Sequence, residues 1–170
     1  MRIVMLVLVI ASVMFVSAGA EPPGFRDDLL DRLAGAWVMT GMIAGEETTH
    51  DVVAEWVLGH YYLRLSDISR EKDEQGAPEY EAIVIIGWDE PSNRYACLWL
   101  DCTGGGGLGG PIGYGARSDD EIPFVFDDGT GSVIRNTFRY VRDEDAWTWL
   151  IDVERESGRT SFARVTLTRP

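Results

Sequence analysis

Histidine, cysteine and lysine are scarce in this chain, and each shortage removes a class of function. His50 and His60 are its only histidines. Neither belongs to an H-x-H or H-E-x-x-H spacing, so no zinc site built on imidazole is legible. The only cysteines are Cys97 and Cys102. Five residues along a strand span roughly 16 Å, whereas a disulfide needs Cα atoms within about 7 Å. The odd spacing also sends the two thiols to opposite faces, and they are expected to stay unpaired. Lys72 is the only lysine, the other 14 of the 15 cationic residues being arginine, and the net charge is −13. So acidic a chain repels phosphate backbones and anionic lipid, which excludes nucleic acid and membrane surfaces as partners. Neither a G-x-S-x-G nucleophile elbow nor a Gly-Lys-Ser/Thr phosphate loop occurs.

Long apolar runs are confined to the N-terminus. Met1-Arg2 and the apolar stretch Ile3–Val16 precede Ser17-Ala18-Gly19-Ala20, a small-x-small ending. This predicts a signal peptide over 1–20, cleaved after Ala20, and an exported protein, periplasmic or secreted. The run is shorter than the ~20 residues that a spanning helix needs, and no cysteine stands at the junction to carry a lipid. Cleavage removes Arg2 and takes the net charge from −13 to −14. Residues 21–28 read as a lead, and 29–170 as a single domain with length enough for a core.

One helix is predicted, Arg26 to Leu33, with Asp27 and Asp28 at its positive end and Gly35 as its stop. Everything after it lacks helical periodicity and reads as strands: Trp37–Ala44, Val52–Leu58, His60–Ile68, Tyr80–Trp88, Arg94–Asp101, Ile112–Arg117, Pro123–Asp127, Val133–Val141, Trp147–Arg155 and Thr160–Thr168. Turns recur every ten or so residues, among them the loop Arg70–Pro78 and the joint Asp89-Glu90-Pro91-Ser92-Asn93. The alternation is clear in the last strands. Trp147, Trp149, Ile151 and Val153 oppose Thr148, Asp152 and Glu154. Ile134, Phe138 and Tyr140 oppose Arg135, Thr137 and Arg139. One dry and one wet face on each strand predict an all-β, antiparallel up-and-down barrel of about ten strands, whose closure removes exposed edges.

Several constellations invite chemistry and fail on context. Gly104, Gly106 and Gly109 satisfy G-x-G-x-x-G within TGGGGLGGPIGYG. A phosphate loop needs a helix to open directly after it, and here Pro111 and a strand follow. The segment reads instead as a loop at the barrel rim, able to act as a lid. Asp119-Asp120-Glu121 and Asp127-Asp128 lack the alternating ligands of a calcium loop. His60 reads as a turn or mouth residue.

The chain resembles the DUF1579 family of exported, lipocalin-like bacterial proteins. The resemblance rests on Leu33-Ala34-Gly35-Ala36-Trp37, whose G-x-W opens the first strand, and on Glu55-Trp56-Val57-Leu58-Gly59. Gly87-Trp88-Asp89 with Tyr95, Trp99-Leu100-Asp101 before the glycine run, and Thr166-Leu167-Thr168-Arg169 follow in order. It implies a lipocalin-like (calycin-type) barrel and ligand binding, with no established activity to carry over. By analogy with calycins, Trp37 packs at the closed end beneath a cation from the last strand. Arg169 is the first choice for that cation and Arg164 the second. Related haem-binding barrels place a histidine near the C-terminus; no histidine follows His60 here, and no cofactor or metal is expected.

What remains is an aromatic interior with sparse polar groups, as small-molecule pockets are lined. Trp56, Tyr61, Trp88, Trp99, Phe138 and Trp149 are candidates for the lining. Asn136 and Asp101 are the polar residues that periodicity turns inward, and an inward Asp needs a partner or a ligand. For Asp101 the plainer alternative is a turn cap at the strand end. The expectation is a small, mostly apolar ligand held in the barrel. The alternatives are an enzyme using Asp101 or Glu55 as a base, and a filled barrel that binds other proteins.

Overall fold

The computed structural model describes residues 24–104, 107–127 and 129–170. The expected signal peptide and the start of the lead lie outside the described residues. One short helix, α1 (Asp28–Leu33), precedes ten strands: β1 (Gly35–Ile43), β2 (Glu46–Val57), β3 (Tyr62–Ser69), β4 (Glu81–Asp89), β5 (Arg94–Asp101), β6 (Gly113–Gly115), β7 (Glu121–Asp127), β8 (Val133–Val141), β9 (Ala146–Arg155) and β10 (Gly158–Thr168). Each strand pairs antiparallel with its sequence neighbours, and β1 pairs with β10 to close the barrel. The up-and-down barrel expected from the alternation is the fold.

The second strand begins six residues earlier than its apolar pattern implies, at Glu46 rather than Val52. Thr48, Thr49 and His50 look like loop residues, but each is paired with β1, His50 opposite Met39. Ala44 and Gly45 both have positive φ, of 54° and 91°. That backbone is the two-residue hairpin turn whose twist matches the strands it joins, so pairing runs up to the turn. The extension carries His50 into the barrel wall.

Because strands alternate in direction, the connections sort into two ends. One end is plugged by α1. Asp27 caps the helix by accepting from the Leu30 N–H at 2.8 Å, and Leu29, Leu30 and Leu33 are buried. The helix segment is tied to the whole circumference. The indole N–H of Trp37 (β1) donates to the Leu33 carbonyl at 2.7 Å and that of Trp56 (β2) to Asp31 at 2.9 Å. The Tyr95 hydroxyl (β5) donates to Asp27, and Arg117, after β6, pairs with Asp28 at 2.6 Å. The Arg117 hydrogen bond holds the Asp28 carboxyl below its ordinary range, and the same pair raises the guanidinium. Burial, with the Asp27 contact, pushes the Tyr95 phenol up.

Arg169 lies over the Trp37 ring, 3.6 Å from its centroid, and donates to the carbonyls of Arg32 and Ala34. Arg164 instead turns outward to Asp152, whose carboxylate is shielded by the guanidiniums of Arg164 and Arg159 rather than by the core. Arg169→Ala removes a cation–π contact of about 0.5–2 kcal/mol and two carbonyl caps. A measurably lower unfolding midpoint in urea is expected; an unchanged midpoint would take the role away from Arg169.

Above this plug the interior is packed solid. Trp37, Trp147, Trp149, Phe124 and Phe138 are fully buried, with Met39, Leu63, Leu65 and Ile86 between them. Phe138 meets Trp149 at 4.8 Å and Phe124 at 5.7 Å between ring centroids. Gly113 makes room for the layer: a Cβ there would sit 2.5 Å from the Phe126 ring. Cys97 faces inward and is buried, burial pushing its thiol up, while Cys102 is exposed and the two are not bonded.

Candidate functional site at the open end of the barrel

The end opposite α1 carries the loops after β1, β3, β5, β7 and β9, and the inward face changes character on approaching it. Below, the inward side chains are mostly apolar or aromatic; above, polar side chains point inward from β2, β3, β5 and β8, with Tyr80 beside them. On β2 and β3, His50 Nδ1 meets Asp67 Oδ1 at 2.7 Å, both residues being buried. Asp67 fixes the ring through Nδ1, and Nε2 makes no hydrogen bond among the described residues. In the neutral ring, with its proton on Nδ1, that nitrogen is an acceptor.

Tyr80, just before β4, packs against His50 with ring centroids 5.7 Å apart. Its hydroxyl oxygen accepts from the Trp99 indole N–H at 3.1 Å, which leaves the phenolic proton available. Burial pushes the Tyr80 phenol up, and the charges of Asp101 and Asp67 add to it, so it stays protonated at neutral pH. Ser69 locks the rim, accepting from the Tyr80 N–H at 3.0 Å and donating to the Glu71 carbonyl. Glu71 accepts from the Thr48 hydroxyl and the Thr49 N–H, tying the loop after β3 to the β1–β2 hairpin. Backbone N–H donors hold its carboxyl below the ordinary range.

Across the barrel, Trp99 meets Trp149 edge to face at 6.2 Å. Asp101 and Asn136 each stand one inward position nearer the rim than this aromatic layer, on β5 and β8. Asp101 Oδ1 accepts from the N–H of Thr103 at 2.9 Å and from its hydroxyl, so it is a turn cap, while its Oδ2 makes no hydrogen bond among the described residues. Asn136 is 2% exposed, and its amide oxygen finds no partner among the described residues. The indole N–H of Trp149 is likewise buried and unpartnered.

Five of the eight lining candidates therefore gather at this end: Trp99, Asp101 and Asn136, with Phe138 and Trp149 as their floor. The other three do not. Trp56 and Trp88 belong to the plugged end, where Phe25 packs against both at 6.2 and 5.9 Å. Tyr61 sits in the β2–β3 turn, 44% exposed, and lines nothing. Their aromatic character is real, but alternation says inside or outside, not which end. Glu55, the alternative base, points outward and pairs with Arg64. His60 occupies a turn at the plugged end and stacks on Trp56 at 4.0 Å.

Sequence reasoning missed His50, Asp67, Ser69 and Tyr80. The signal was available for two of them. His50 shares parity with Val52 and Ala54, and Asp67 with Leu63 and Leu65, the same argument that turned Asn136 inward.

Two depressions are open to solvent elsewhere. One, of about 380 Å³, lies on the outer wall over Ser66, Ile68, Ile83 and Leu100 and reaches the rim at Asp101 and Cys102. The other, of about 480 Å³, flanks the β1–β2 hairpin beside Glu71.

Fold and site together define a closed up-and-down β-barrel with one plugged end and one polar mouth. No protein-family model matches the chain, and no curated protein matches it. Among solved structures it is similar to a redesigned beta barrel, with 11% identity over 82% of this chain and 93% of that one and a TM-score of 0.39.

Proposed function

We propose that this protein binds a small molecule at the open mouth of its barrel, the ligand's apolar body lying against Trp99. The observation that carries the reading is Asn136. An amide buried without a hydrogen bond destabilises a fold by about 1–3 kcal/mol, and such groups are otherwise satisfied almost throughout native proteins. Here the orphan faces a mouth that also holds the buried His50–Asp67 pair and the free hydroxyl of Tyr80. Aromatic walls with a few converging polar groups are the composition of small-molecule sites. The buried layer of Phe138, Trp149 and Phe124 limits the ligand to the mouth. The resemblance to the DUF1579 family points the same way, as does the leader, which fits an exported binding protein.

Native mass spectrometry of the protein purified from its own cells tests this. A small adduct is expected on the unmodified protein and none on Asn136→Leu or Trp99→Ala. Adducts that persist in both variants would place the ligand elsewhere or make it adventitious.

A further inference from the structure

The atoms left without a partner at the mouth are of two kinds. Asn136 Oδ1 is an acceptor, as are Asp101 Oδ2 and, in the neutral ring, His50 Nε2. The Trp149 N–H and the Tyr80 hydroxyl are donors. Both kinds of group are present, so hydrogen bonding alone does not choose the ligand.

Charge narrows the class. Asp101, Asp67 and Glu71 all stand at or beneath the rim. The basic residues nearby turn away: Arg70 pairs with Asp51 on the outer wall at 2.6 Å, and Lys72 contributes to the same carboxylate. Arg135 and Arg159 are held by Glu154 and Asp152. Arg155 stands at the β9–β10 tip, beyond the last pairing of β10 with β1 at Ala163. The electrostatic effect reaches a neighbouring group, since Asp101 and Asp67 both raise the Tyr80 phenol. The aromatic faces of Trp99 and Tyr80 attract a cation as well.

We propose that the ligand is a protonated amine on a small aromatic or aliphatic body. Its ammonium group donates to Asn136 Oδ1 and pairs with Asp101, and its body lies against Trp99. A carboxylate or phosphate ligand meets the like charge of Asp101 and Glu71 at this rim.

The inference rests on the mouth being a binding site, and the test separates the two. Three compounds of one shape and different charge are titrated at pH 7 into the full-length mature protein, following tryptophan fluorescence: phenethylamine, 2-phenylethanol and 3-phenylpropionate. The amine is expected to bind about tenfold more tightly than the alcohol, equivalent to about 1.4 kcal/mol, and the carboxylate more weakly than either. Asp101→Asn, which keeps an oxygen to cap Thr103, is expected to abolish the preference for the amine over the alcohol. Equal affinities for amine and alcohol, or tighter binding of the carboxylate, would overturn the amine class while leaving the site standing. Absence of binding by all three would also overturn it, whereas the site itself is judged by the retained adduct. An adduct whose composition contains no basic nitrogen would refute the amine and support the site. The three-compound comparison on the unmodified protein decides the matter even if the variant fails to fold.

Discussion

Replacing His50 with leucine is expected to destabilise the barrel by about 1–3 kcal/mol, the usual consequence of leaving a buried hydrogen-bonding group without its partner. Asp67 is 2% exposed and the His50 ring is its hydrogen-bonding partner. No other donor from the described residues reaches its carboxylate, so leucine at position 50 leaves a buried polar group without a partner. Replacing both residues, His50→Leu with Asp67→Val, should recover most of the loss, because the pair's attraction and its desolvation nearly offset each other. Urea unfolding of the two single variants and the double variant gives the coupling directly. A single-variant loss below about 1 kcal/mol would show the pair to be hydrated and not part of a dry mouth.

Asn136→Leu is expected to act in the opposite direction and raise stability. Leucine has the same branched heavy-atom skeleton as asparagine, takes the same inward position between Phe124 and Ile151, and carries no polar atom to leave unpaired. Removing the orphan should stabilise by about 1–3 kcal/mol, or roughly 3–10 °C in melting temperature for a domain of this size. The same change should abolish ligand retention. A stabilised protein that no longer binds is the signature of a residue kept for its ligand. A lower melting temperature would mean that Asn136 is structurally satisfied, and the reading of the mouth would lose its main support.

The architecture was legible because alternation in β8, β9 and β10 is regular over nine to eleven residues. With turns at even spacing, that pattern leaves few folds other than an antiparallel barrel. The same periodicity correctly turned Asn136 inward. It did not find His50, because Glu46 to His50 is polar and resembles a loop; pairing with β1, a tertiary fact, makes it strand. Asp67 sat in a stretch with Ser66 and Ser69 that reads as the fading end of a strand. Tyr80 precedes its strand by one residue, shares the inward parity of Ala82 and Val84, and is held there by Ser69, which accepts from its N–H. Trp56 and Trp88 went astray for a different reason. Hydrophobic pattern carries no information about which end of a barrel a side chain occupies. That follows only from counting strand directions from the plug, and the plug is recognised only once α1 is seen to bond to five parts of the wall.

The chain's six tryptophans are divided between the two halves of the barrel, and this makes the most direct test possible. Trp99 and Trp149 form the floor of the mouth, while Trp37, Trp56, Trp88 and Trp147 belong to the packed plugged half. Indole N–H resonances of ¹⁵N-labelled protein can be compared before and after the retained small molecule is stripped and added back. Binding at the mouth predicts that the Trp99 and Trp149 signals move and return together while the other four stay in place. Movement of Trp56 and Trp88 with Trp99 and Trp149 unchanged would contradict it and put the ligand at the wrong end of the barrel.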